Sequence, residues 1–174
     1  MLLWHYFRSS LQTPLVMRKL FLTLFVISSV GFIASAQEQE PASNQDYKLG
    51  LGIRLSNASP TLSNSVSVKY FMYNGNALEG LISFGTRFGL GGLYEFHKPL
   101  NATPGLKWYY GGGAYVGFQS GNTYLGPTGV IGLDYKFDKI PLNLSLDWKP
   151  ELDILPRINF VPDGFGLTAR FTLK

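Results

Sequence analysis

Chemistry in this chain would have to come from few side chains. His97 is the single histidine from Gln37 onward, and Ser83 and Ser145 are the hydroxyls weighed as its nucleophile. Acyl transfer needs a nucleophile within hydrogen-bond reach of a base that a third group orients. Ser83 falls at the far end of the neighbouring extended stretch, and Ser145 several stretches away. A lipid-modifying enzyme is therefore the last-ranked reading. No His, Cys or carboxylate cluster has metal-ligand spacing, and cysteine is absent. Gly111-Gly112-Gly113 is followed by neither a helix nor Lys-Ser/Thr, so it is no phosphate loop. No catalytic residue, metal or cofactor is called for.

What remains is charge. Arg54, Lys69, Glu79, Glu95, Asp134, Lys136, Asp147 and Arg170, with Lys48 and Lys107, occupy the polar side of stretches that alternate apolar and polar residues. Charges turned to one interior are tolerable only when paired and hydrogen-bonded. They read as a salt-bridge network, with Tyr109 and Tyr115 beside it and Gly50, Gly52, Gly111 and Gly113 leaving room.

The elements that must position these charges follow from a period of two. Eight stretches carry it: Tyr47–Leu55, Ser65–Tyr73, Ala77–Phe84, Leu90–Lys98, Leu106–Gln119, Thr128–Asp138, Ile140–Lys149 and Phe165–Lys174. No stretch after residue 36 is long and apolar enough for a spanning helix, so any membrane crossing falls to strands. Run alternately up and down, the stretches bring Tyr47, Tyr70, Tyr94, Phe96, Trp108, Tyr110, Tyr135, Phe137 and Phe171 to one end of the outer face. Such an aromatic girdle marks a lipid–water boundary. The expected fold is all-β, an eight-stranded antiparallel up-and-down transmembrane barrel.

Asn74-Gly75-Asn76 and Asp138-Lys139 read as tight turns and Lys98–Gly105 as a longer one, all on the periplasmic side. Ser56–Asn64, Ser120–Pro127 and the longest, Pro150–Gly164, read as outer loops. The Gly85–Gly89 link is unusually short for an outer loop.

Met17-Arg18-Lys19, the apolar run Leu20–Ile33 and Ala34-Ser35-Ala36 form a secretory signal, with cleavage expected after Ala36. Residues 1–16 read as an upstream start-site extension, 17–36 as the signal peptide, 37–46 as a flexible periplasmic lead-in and 47–174 as the barrel. The formal charge of +4 falls toward neutrality once Arg8, Arg18 and Lys19 leave, which removes the electrostatic case for nucleic acid.

Gly92-Leu-Tyr-Glu-Phe-His-Lys-Pro99, Trp108-Tyr-Tyr-Gly-Gly-Gly113 and Ile140-Pro-Leu-Asn-Leu-Ser-Leu-Asp-Trp-Lys-Pro150 resemble a family of small outer-membrane barrels of Bacteroidota-type bacteria. The resemblance covers most of Tyr47–Lys174 and implies an eight-stranded barrel in a Gram-negative outer membrane, generally without assigned activity. The chain departs from the common pattern at its last residues, Arg170-Phe-Thr-Leu-Lys174, where outer-membrane barrels usually finish on an aromatic. The expected role is structural or surface-interacting, with outer-membrane lipid and the barrel-assembly machinery as partners and no surface ligand specified. The alternative is a narrow porin-like pore or a channel for a small apolar ligand.

Overall fold

The computed structural model describes residues 47–56, 60–101, 103–162 and 164–174. The signal peptide and lead-in expected before Tyr47 lie outside the described residues. Ten strands follow in order: β1 Leu49–Ser56, β2 Ser65–Phe71, β3 Ala77–Phe84, β4 Phe88–Pro99, β5 Leu106–Gln119, β6 Asn122–Lys136, β7 Leu142–Trp148, β8 Glu151–Asp153, β9 Asn159–Val161 and β10 Phe165–Leu173. Strands β1 to β7 and β10 close an eight-stranded antiparallel barrel, in which β10 joins β1 to β7 and β5 pairs with β6. Closure leaves these strands without an unpaired edge.

The barrel is apolar outside and polar within. On β2, β3 and β10 buried and exposed residues alternate without a break. Among the described residues, nine hydrophobic side chains are buried against twenty-two polar or charged ones.

Exterior aromatics gather at two heights. At the end bearing the β2–β3, β4–β5 and β6–β7 turns (the turn end), Phe96 stacks on Tyr110 at 5.3 Å, Trp108 on Tyr110 at 5.2 Å, and Tyr135 meets Phe137 at 4.7 Å. Tyr70 and Tyr94 flank Leu78 in the same row, and Phe171 lies opposite Leu142. At the opposite loop end, Phe84 meets Phe88 at 5.9 Å, Phe88 meets Phe118 at 6.5 Å, and Trp148 meets Phe165 at 6.4 Å. Phe165 and Phe171 stand six residues apart on β10, about 20 Å along a strand.

Several expectations need correction. Tyr47 does not join the girdle: it precedes β1 and turns in, buried, to meet Phe71 edge-on at 5.1 Å. Lys48, expected inside, is exposed at the turn-end rim, although its backbone still bonds Leu173 and Phe71. Ser120–Pro127 is not a loop, because β5 and β6 continue to Gln119↔Asn122 around Ser120 (φ 50°) and Gly121 (φ 78°). Positive φ at both central residues is the type I′ signature of a two-residue hairpin. Pro127 misled the reading because proline weakens a central strand. Here the Gly129 N–H and the Leu125 carbonyl both point away from β5 toward the segment after β7. Pro127, two residues from each, therefore costs the β5 ladder no bond. Pro150–Gly164 carries the β8–β9 hairpin, which continues the sheet from β6 at Thr128↔Glu151.

Candidate functional site

Parity on the strands sends alternate side chains inward, and an eight-stranded lumen is only wide enough for side chains or one small ligand. Here side chains fill it in three layers.

The turn-end layer is aromatic. Tyr47, Phe71 and Ala77 pack together, and Phe71 meets the His97 ring at 4.8 Å. His97 stacks on Tyr109 with planes 7° apart, and its Nε2 lies 3.0 Å from Glu95 Oε2. The two serines weighed against His97 are engaged elsewhere: Ser83 donates to the Thr61 carbonyl, and Ser145 accepts from Arg170 at 2.6 Å.

The middle layer is ionic. One chain of alternating charge runs Arg170–Glu79–Lys149–Asp147–Arg54, with Lys149 3.2 Å from Glu79 and 2.9 Å from Asp147, and Arg54 2.7 Å from Asp147. A second holds Lys69 between Glu95 at 2.7 Å and Asp134 at 3.5 Å. The first group carries one excess positive charge and the second one excess negative. Together four cations face four anions, and none of the eight is more than 3 % exposed. Neutral groups join the two. Asn143 donates to Asp134 and accepts from Arg170 at 3.3 Å. Tyr109 lies 4.3 Å beneath the Lys69 ammonium and donates to Asp147 at 3.0 Å. Within the first chain, Ser67 donates to Glu79 at 2.7 Å and accepts from Arg170 Nε at 2.8 Å.

The loop-end layer is a plug made by the segment after β1. Leu62 and Thr61 are fully buried. A Cβ on Gly91 would meet Leu62 at 2.5 Å, and one on Gly89 or Gly117 would meet Thr61 at 2.7 Å, so those glycines form its seat. Glu151 on β8 accepts from the Leu62 and Thr61 amides at 2.7 and 3.1 Å. Burial pushes its carboxyl above the ordinary carboxylate range, and the two amide donors pull it back. Arg54 donates to the Leu62 carbonyl at 3.0 Å, tying plug to ion network. Arg87 clamps the top, donating to Asp153 at 2.8 Å and Thr61 Oγ1 at 3.0 Å, while Tyr115 donates to Asp153 at 2.9 Å.

Of the charges singled out from the sequence, Arg54, Lys69, Glu79, Glu95, Asp134, Asp147 and Arg170 meet in the middle layer. Lys136 does not. It sits at the turn-end rim, where its ammonium donates to the Phe137 carbonyl and, at 3.1 Å, to that of Ile140, because β6 ends there and its own turn supplies acceptors. Lys107 is also near that end, 5.8 Å from the Phe71 ring. Lys149 was missed although it shares the parity of Asp147. Arg87, Glu151 and Asp153 were missed because period-two reading assigns no facing within connections. The plug had one signal: Leu62 is the single large apolar residue of Ser56–Asn64, facing a glycine-lined interior.

Glu151→Ala removes the acceptor for two buried amides, each worth about 1–3 kcal/mol when stranded. Hydrogen exchange at Thr61 and Leu62 is expected to accelerate at least about tenfold, with amides of β1 and β10 unchanged. Unchanged protection at both plug amides would show that Glu151 does not hold the plug.

Compared with known proteins, the chain matches no family model, no curated protein and no solved structure.

Proposed function

We propose that this chain is an outer-membrane barrel whose lumen is a structural core rather than a conduit, and that it holds the β8–β9 hairpin at the cell surface. Two exterior aromatic belts about 20 Å apart along a strand, bounding an apolar wall, support the membrane reading. The signal-like segment at residues 17–36 and the resemblance of Gly92–Pro99, Trp108–Gly113 and Ile140–Pro150 to small outer-membrane barrels support the compartment. On this reading the turn end is periplasmic, and lipid and the assembly machinery are the barrel's partners.

The observation that carries the structural role is the lumen's own balance. Four cations and four anions neutralise one another in a single buried layer, with an aromatic layer below and a loop plug above. An ion-conducting path needs sites weak enough for an ion to leave, and every charge here is bound to a fixed counter-charge. The hairpin beyond the plug exposes Ile158 and Phe160, which suits it to contact rather than transport.

Planar-bilayer recording of the purified protein tests the role. No stable current steps are expected at neutral pH. Reproducible steps whose size changes on Arg170→Met would make the lumen a pore and overturn the proposal.

A further inference from the structure

We infer a binding groove at the turn-end rim for the head group of an anionic glycerophospholipid. The inference rests on the membrane reading above. An open groove of about 770 Å³ is lined by Lys48, Lys136, Lys139 and Lys174, with Asp138 the one acidic residue in its wall. Lys48, Lys139 and Lys174 are exposed and make no ion pair among the described residues. Tyr47 also lines it. Three ammonium groups in one concavity suit a phosphate.

The surroundings specify an amphipathic ligand. Ile140 belongs to the groove wall and is exposed, and Leu173 and Phe171 continue the apolar surface from the rim onto the barrel's outer face. An acyl chain would lie on that wall while its phosphate sits among the lysines, beside Tyr135 and Phe137 of the turn-end belt. The loop end offers no equivalent: Arg87 is held by Asp153, and Arg157 is the one exposed cation there among the described residues. The charge distribution therefore favours lipid of the periplasmic leaflet.

The test reconstitutes the full-length purified protein in phosphatidylcholine vesicles, with and without phosphatidylglycerol, and measures retained lipid by native mass spectrometry and barrel stability by thermal unfolding. Retention of phosphatidylglycerol over phosphatidylcholine is expected, with a raised Tm. Each lysine near an anionic lipid surface is worth about fivefold in affinity. Lys139→Gln should therefore lower retention about fivefold, and Lys48→Gln with Lys139→Gln further, with Tm in pure phosphatidylcholine unchanged. Insertion in both vesicles with equal retention and Tm would overturn the groove and leave the membrane reading standing. Insertion in neither would overturn the membrane reading and the groove with it. If inorganic phosphate alone reproduced the Tm shift, the site would take a free anion and the lipid assignment would fall.

Discussion

Asp147→Asn is expected to destabilise the barrel by about 3–5 kcal/mol, the range for breaking a buried charge pair, and more than any other single substitution of a lumen charge. Its carboxylate binds Arg54 at 2.7 Å, Lys149 at 2.9 Å and the Tyr109 hydroxyl at 3.0 Å. Without it, the chain Arg170–Glu79–Lys149–Asp147–Arg54 keeps three cations and one anion, all buried. Asparagine adds an amide donor where only acceptors are wanted. Arg170→Met should cost roughly half as much, because Glu79 keeps Lys149 at 3.2 Å and Ser67 at 2.7 Å, so one carboxylate loses one of its partners whereas Asp147→Asn strands two cations. Lys149→Met added to Asp147→Asn should recover part of the loss by removing a stranded cation. Urea unfolding in vesicles, at constant slope, gives the ranking. A loss for Asp147→Asn no greater than for Arg170→Met would refute the alternating-charge account.

Where strand parity applies, the sequence was a sufficient guide. Every second residue of β2, β3 and β10 falls as alternation requires, which is why Lys69, Glu79 and Arg170 could be placed inside before their partners were known. Register was less legible: the link expected at Gly85–Gly89 shortens to Gly85 to Arg87, because β4 begins at Phe88 and pairs it with Phe84. Alternation loses force where the ladder stops. Tyr47, two residues before β1, lies inside against the alternation, and Lys136, at the end of β6, bonds its own turn. The β5–β6 hairpin was shortened because Gly126 and Pro127 carry turn composition, while the edge they face was decided by β8, a segment distant in sequence. The plug, and the Arg87–Asp153 clamp above it, depend on three connections meeting over one lumen. No local period encodes that meeting; only the inward glycines hint at it.

The inward glycines give the second large effect. Gly113→Ala is expected to cost at least about 3 kcal/mol, at or beyond the upper range for overpacking, or to prevent closure outright. A Cβ at Gly113 would stand 1.9 Å from the Gly92 carbonyl oxygen and 2.8 Å from the Leu93 Cα, and one at Gly111 would stand 2.0 Å from the Tyr94 carbonyl. These contacts are backbone, so no side-chain rotation relieves them. They record how sharply β4 and β5 coil to close a narrow barrel, a bend that glycine permits. Gly112 is the control: it faces outward, and its Cβ would meet nothing nearer than the Thr128 carbonyl at 3.4 Å. Both substitutions change unfolded-state entropy alike, so their difference isolates the close approach. Gly112→Ala should stay within about 1 kcal/mol of the parent. The folded fraction after refolding into vesicles, read by heat-modifiable gel mobility, compares them directly. Equal yields and equal unfolding midpoints for the two would mean that β4 and β5 are not pressed together at Gly113, and the tight coil that shapes the charged lumen would have to be abandoned.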